Sequence, residues 1–273
     1  MTAQAAIAIE NTVLLQDMKH AHSTINQMNI NLEQRVKDRT IELDKVNEEL
    51  KDFAYIISHD LKAPLRGINQ LAGWLAEDFH DQIAKEGLQM LDLLQNRAHR
   101  MHDMIEGILQ YSRIGRINES RKKVNLNKLV NEVAELIAMP KSISFKIIQR
   151  LPVIMCEETL LSQIFQNLFD NAVKYMDKQK REISVDYIEK DESWQFCVAD
   201  NGPGIDKKYQ KKIFQIFQTL APKDETGSTG IGLALVQKII HNWGGRIWLE
   251  SEIGFGSKFF FIIPKKKREP LKV

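Results

Sequence analysis

Three groups of polar residues in this sequence have the type and spacing to do chemistry. The first is His59 with Asp60 beside it, in the string Ser58-His59-Asp60-Leu61-Lys62-Ala63-Pro64-Leu65. An imidazole titrates near pH 6.5, so much of it is a neutral nitrogen nucleophile at cellular pH. A carboxylate that accepts its other ring N–H raises basicity at the attacking nitrogen. The second group is Asn167, Asn171 and Lys174, spaced i, i+4, i+7 and therefore on one face of a helix. Two carboxamide oxygens and an ammonium on one groove suit a magnesium-bound polyphosphate, because magnesium takes hard oxygen ligands and commonly bridges phosphates. The third is a pair of glycine-broken stretches, Asp200-Asn201-Gly202-Pro203-Gly204-Ile205 and Thr229-Gly230-Ile231-Gly232-Leu233. A carboxylate at a strand end can accept a proton from an adenine amino group, and glycines let backbone approach the base. The second stretch opens a helix whose free N–H groups can hold phosphate oxygens. No Gly-Lys-Ser/Thr is present, so this is not a Walker loop.

These residues need elements to carry them. Val36, Leu43, Val46, Leu50, Phe53 and Ile57 fall at steps of three, four and seven, the seam of a coiled coil. Leu15, Met18, Ile25 and Leu32 extend the seam backwards, with His22, Asn29 and Arg39 as polar interruptions. After Ile57 come two steps of four, to Leu61 and Leu65, before the rhythm resumes through Ile68, Ala72, Leu75 and Phe79. That is a stutter, a local unwinding, and it leaves His59 facing outward. Pro64 removes the N–H that would bond the carbonyl of Asp60, so a bend is expected beside the histidine. A second helix over 84–115 carries Leu88, Leu91, Leu94, Ala98, Met101, Ile105 and Ile108 on one face. Two such helices make an antiparallel hairpin, and two hairpins make a four-helix bundle, hence an expected homodimer. His99, His102 and Asp103 have helical spacing that could ligate a metal but no further ligand nearby, and they read as polar surface rather than a metal site.

Beyond a polar hinge the pattern alternates. Strands are expected at 143–149, 153–155, 182–189, 194–200, 246–251 and 257–263, with helices at 157–176 and 231–242. Leu161, Phe165, Leu168 and Ala172 give the first of these helices its apolar face. The mixture predicts a two-layer α/β sandwich.

Composition narrows the field. Lys plus Arg number 38 and Asp plus Glu 36, a net charge of +2 that carries no nucleic-acid signature. Cys156 and Cys197 are too few for a zinc site or a disulfide framework, which suits a reducing compartment. No apolar run approaches the roughly 20 residues that span a bilayer, and no signal peptide is visible. The expectation is a cytoplasmic chain, and the basic run Lys265–Arg268 reads as a solvated tail.

Ser58–Leu65 closely resembles the phosphoacceptor box of sensor histidine kinases of two-component systems, and three further boxes follow in that family's order. Gln166–Tyr175 resembles its asparagine box, Asp200–Ile205 its first glycine box and Thr229–Leu233 its second. The resemblance covers about residues 30 to 265 and extends to the phytochrome-related kinases. It implies that His59 is phosphorylated by ATP with Asp60 assisting. It gives Asn167 to Mg2+, Asn171 and Lys174 to the phosphates and Tyr175 to the adenine side. Asp200, Gly202, Gly204, Ile205, Phe217, Thr229, Gly230, Gly232 and Leu233 complete the implied nucleotide site, with 218–228 as a mobile lid. Ala6–Asn11 resembles the last helix of the GAF sensor domains that often precede such kinases.

The implied architecture is α plus α/β: an N-terminal coiled coil and dimeric four-helix bundle, then an ATP-binding sandwich of the gyrase, chaperone and histidine kinase type. Its parts are a signal helix at 1–52, whose first 12 residues would end a sensor domain, and a phosphoacceptor hairpin at 53–115. A hinge at 116–122, a catalytic domain at 123–268 and a tail at 269–273 follow. No receiver domain fits after Ile263, so the implied phosphoryl acceptor is an aspartate of a separate response regulator. Two departures from the family concern the lid: Ser228 stands where a glycine is usual, and Thr219 where many relatives have an arginine that Lys223 would replace. A third is Ala63, where relatives carry a Thr or Asn that positions water for dephosphorylating the regulator. Other readings are an ATP-driven clamp of the gyrase or chaperone type, a non-catalytic ATP-binding scaffold, and a designed or truncated form of a natural kinase.

Overall fold

The structure, a computed structural model, describes residues 3–114, 120–220 and 228–265. Most of the expected hinge, the lid with Lys223, and the tail fall outside the described residues, as do the side chains of Ala6–Asn11, Leu50 and Phe53. Helix α1 runs Ala3–Asp78 and α2 runs Lys85–Arg113. Contacts divide the chain between Phe53 and Ala54. In the first unit, Leu15, Met18, Ile25, Leu32, Val36, Leu43 and Val46 form a stripe that one copy of the chain leaves uncovered.

In the second unit, α1 and α2 are antiparallel. Lys62 pairs with Glu106, and the Arg113 guanidinium lies 5.7 Å from the Tyr55 ring centre. In that register His59 is level with Leu109. The buried stripe of α1 here is Ser58, Leu65 and Ala72, one residue per heptad, against Ala98, Ile105 and Leu109. Ile57, Leu61, Ile68, Leu75 and Phe79 remain 40–46% exposed. The helix continues through Pro64.

The α/β domain opens with β1 (Lys122–Asn125) and α3 (Leu126–Leu136), where the sequence reading placed no element. Lys122, read as the last hinge residue, is instead the first of β1, which pairs antiparallel with β3 (Val153–Cys156). Helix α3 is built by ordinary rules. Asn125 caps it, accepting N–H bonds from Asn127 and Lys128, and Leu126, Leu129, Val130 and Val133 form its buried face. The Asn127 carboxamide then ties the helix to Leu151, donating to its carbonyl at 2.7 Å and accepting its N–H at 3.0 Å.

A five-stranded sheet follows, in the order β2 (Ile143–Ile147), β4 (Arg181–Glu189), β5 (Ser193–Asp200), β7 (Gly256–Pro264), β6 (Arg246–Glu252). β2 and β4 are parallel and the other pairs antiparallel. Period-2 alternation sends Ile183, Val185, Phe196, Val198, Phe259, Phe261 and Ile263 to one face. There they meet α3, α4 (Glu158–Lys174) and α5 (Gly232–Asn242). Leu161, Ile164, Phe165, Leu168 and Phe169 of α4 are essentially fully buried in this core.

Candidate active site

Burying one face of α4 leaves the other to line a cavity of about 440 Å³ in the α/β domain. Asn167, Asn171, Lys174 and Tyr175 all lie on it, as does Asp170, which the sequence reading did not single out. The Asn167 side-chain N–H donates to the Gln163 carbonyl at 2.7 Å, which fixes the carboxamide and leaves its Oδ1 turned toward Gly232. The approach is so close that a Cβ on Gly232 would overlap that oxygen. A hard cation fits this oxygen. Among the described residues no three His, Cys, Asp or Glu side chains gather to hold a metal. A cation here would therefore share its shell with phosphate and water, the pattern usual for magnesium. Burial pulls Lys174 below the ordinary lysine value; Asp170 opposes the shift, Arg100 adds to it and Asp103 opposes it. Burial likewise pushes Asp170 up, against the pull of Lys174. Both shifts have desolvation as their main cause, and an incoming polyphosphate would favour the charged lysine.

Asp200, at the end of β5, also lines the cavity. Burial raises its pKa, while N–H bonds from Gly202 (2.9 Å) and Ser257 lower it in part. Gly202 is buried beside Asp200 rather than on the cavity wall, so its part is to aim the carboxylate. Gly204 has φ +75° and packs on the Glu252 carbonyl, where a side chain would collide. Ile205 and Leu233 line the wall. The turn is held from beneath by Ser251, whose Oγ accepts the Ile205 N–H at 2.8 Å, and by Gln210, whose side chain donates to the carbonyls of Ile205 and Ser251. Neither residue had been picked out. Only the β6–β7 register brings Ser251 opposite Ser257, and no local pattern signals it.

Thr229, Gly230 and Gly232 form a wall facing α4. Phe217 is not on the cavity wall. It adopts φ +67° and gives its N–H to the Gly230 carbonyl at 2.9 Å, pinching together the two ends of the segment between them. Thr219 and Ser228 both line the cavity, and the Ser228 hydroxyl is hydrogen-bonded to that of Tyr175 at 2.8 Å.

On the hairpin, His59 projects outward with a side chain 77% exposed, and its Nδ1 lies 3.2 Å from Asp60 Oδ1. Among the described residues, none of α1 or α2 lines the cavity. The hairpin meets the α/β domain through the last turns of α2. Gly107 sits against Ile231, Gln110 accepts an N–H from Gln163 at 3.0 Å, and Lys238 Nζ donates to the Tyr111 carbonyl at 2.7 Å, 3.8 Å from the ring centre. His99 Nε2 lies 3.8 Å from an Asp103 carboxylate oxygen.

Residues 49–117 match the model of the His Kinase A (phospho-acceptor) domain, and 156–267 that of the histidine kinase-, DNA gyrase B-, and HSP90-like ATPases. The two occur together and in that order. The chain belongs to the histidine kinases. Cyanobacterial phytochrome B of Nostoc sp. is 39% identical to this kinase over 228 residues, 82% of this chain and 30% of the phytochrome. Sensor histidine kinase WalK of Bacillus subtilis is 25% identical over 289 residues, 98% of this chain and 47% of WalK. Full-length ShkA in complex with AMPPNP superposes with a TM-score of 0.60 at 26% identity, over 80% of this chain and 47% of ShkA. The kinase thus spans about a third of the length of the phytochromes it matches. The expected fold class stands: a helical N-terminal region, then a mixed-sheet α/β domain of the ATPase type. No helix among the described residues is long and apolar enough to cross a membrane.

Proposed function

We propose that this chain transfers the γ-phosphoryl group of ATP to Nε2 of His59, working as a homodimer, and passes it on to an aspartate of a separate response regulator. In this reading 1–52 relays a signal, 53–115 is the dimerising acceptor hairpin and 123–268 binds the nucleotide. The observation that carries it is a cavity lined by Asn167, Asn171, Lys174 and the half-buried Asp200, in the same chain as an outward imidazole tied to Asp60.

Each residue's part follows from its chemistry. Asp200 accepts the adenine amino proton, and the Gly202 and Ser257 N–H groups keep its carboxylate aimed. Asn171 and Lys174 hold the phosphates, with the N–H groups that open α5 adding donors. Bound at Asn167, Mg2+ would neutralise charge on the phosphates and orient them for in-line displacement. Asp60 accepts the Nδ1–H of His59, which leaves the Nε2 lone pair free. Nε2 bonds to the γ-phosphorus as the bond to the bridging oxygen breaks, ADP departs, and Asp60 stabilises the Nδ1–H of the cationic phosphoimidazole. The phosphorus–nitrogen bond is labile, which suits onward transfer.

A clamp of the gyrase or chaperone type would need the cavity but not His59. A scaffold that binds ATP without transfer remains a second reading, favoured only by Thr219 in the place of an arginine. Mixing His59→Gln with Asn167→Ala chains and supplying γ-labelled ATP tests all three. Acid-labile label should be absent from His59→Gln alone while its nucleotide affinity is kept. Asn167→Ala alone should lose Mg-ATP binding. In mixed dimers, label on the Asn167→Ala chain identifies transfer between subunits; if the unmodified chain takes up no acid-labile phosphate, the kinase reading fails.

A further inference from the structure

The hydroxyl pair Tyr175–Ser228 has no part in the chemistry above, yet it sits on the cavity wall. Two close approaches define the wall. Gly232 abuts the Asn167 carboxamide, and four residues earlier the Ser228 hydroxyl meets the Tyr175 hydroxyl at 2.8 Å. From Asn167 to Tyr175 the chain of α4 and its cap climbs about 12 Å at 1.5 Å per residue, while four peptide units reach at most about 14 Å. The segment Ser228–Gly232 can therefore run beside α4 for the length of the cavity, opposite in direction, hydrogen-bonded at Ser228 and in close approach at Gly232. The Asn167 end is the phosphate end. The Tyr175 end is the base end, because the Tyr175 carbonyl lies beside Gly202, the residue that aims Asp200.

Resting on the ATP reading above, we propose that Ser228 is a positioning residue for the adenine base: its hydroxyl holds the Tyr175 phenol across the base end of the cavity. Tyr175 caps α4, its N–H bonded to the Asn171 carbonyl at 3.1 Å, so its backbone is fixed and its ring is what needs holding. A half-buried phenol beside the apolar wall of Ile205, Leu233 and Phe259 requires a partner for its O–H. A serine at 228 supplies one, and a glycine at that position has no side chain to offer. A phenol so held presents its ring to a base plane at little further entropic cost on binding.

The test is calorimetric titration of the full chain with Mg-ADP and, separately, with inorganic tripolyphosphate. Ser228→Ala and Tyr175→Phe should each weaken ADP roughly three- to tenfold, the range for one neutral hydrogen bond. The double variant should bind no worse than the weaker single one, and Ser228→Thr, which restores a hydroxyl, should recover the affinity. Tripolyphosphate binding should not change in any of them. Unaltered ADP affinity in Ser228→Ala, additive losses in the double variant, or an equal loss toward tripolyphosphate would each overturn the assignment, the last by moving Ser228 to the phosphates. If the unmodified chain bound no ADP, the kinase reading would fall together with the inference; the other outcomes leave that reading intact.

Discussion

Phe165, in the middle of α4, is fully buried with three aromatic rings within 6.4 Å, whereas Ile68, on the hairpin, is 44% exposed. The contrast holds across both regions. In the α/β domain the sheet's inner residues and the helices' apolar faces are covered by one another, and one chain completes the core. In the hairpin the buried cluster reduces to Leu65, Ala98 and Ile105, while large side chains such as Leu71, Trp74 and Met90 stay half exposed or more. A region that binds a small ligand needs walls that hold their shape alone. On the proposed function, a hairpin that leaves so wide an apolar stripe uncovered is one that a second copy finishes.

The sharpest way to break this comparison is a matched pair of truncations. Phe165→Ala should cost about 3–5 kcal/mol, much of a domain's total stability, and lower the melting temperature of the α/β domain whatever the protein concentration. Ile68→Ala should leave that melting transition within about 0.5 kcal/mol and instead raise the dimer dissociation constant in sedimentation. Equal melting losses from the two would erase the distinction.

Asp200→Asn sharpens it from the ligand side. Burial holds the native carboxyl above its unfolded value of about 3.9, so the native state binds its proton more tightly than the unfolded state does. The stability this confers is whole below about pH 4 and is lost as pH rises through the native pKa. Asparagine never ionises and still accepts the Gly202 and Ser257 N–H groups. The variant should therefore match the parent in acid, melt higher at pH 7, and bind ATP roughly tenfold or more weakly for want of the charged acceptor. A lower melting temperature at pH 7 would mean that Asp200 supports the fold rather than the ligand.

The smallest effect concerns the helix before the hairpin. Seven residues inserted near Lys45 restore the phase of the Leu32–Ile57 seam, while one or two turn it by about 100° or 200°. Autophosphorylation should follow that period. A steady decline with insert length would count against rotational coupling.

The order in which these features could be read from the sequence has physical causes. Helix α4 was legible because one short window holds both its buried face and its polar one, and the sheet strands because alternation is local. Helix α3 was equally local, with Asn125 before Leu126, Leu129, Val130 and Val133, and passing it over was a failure of reading rather than of signal. Ser251, Ser257 and Gln210 are different. Their roles exist only once β6 pairs with β7 in one register, which no window contains. The resemblance alone marks Phe217 as a nucleotide residue, whereas its left-handed backbone and its bond to Gly230 arise only where two separate stretches meet, which no window contains. Ser228 was noted only as a departure, since its partner Tyr175 lies 53 residues away in sequence.

The joint between α2 and the α/β domain bears on the kinase's motion. Gly107 presents no side chain to Ile231, the Gln163 carboxamide donates one hydrogen bond to that of Gln110, and the Lys238 ammonium rests on Tyr111. Water can replace each of these polar contacts at a net cost of about 1 kcal/mol. Ile114, just past the last turn of α2, is also buried in the core of the α/β domain, so separating the two exposes apolar surface as well. The joint therefore couples the end of α2 to the start of α5 through apolar packing as well as hydrogen bonds. On the proposed function, a displacement of α2 reaches Ile231, the residue before Gly232, and through it the wall of the cavity where Gly232 abuts Asn167.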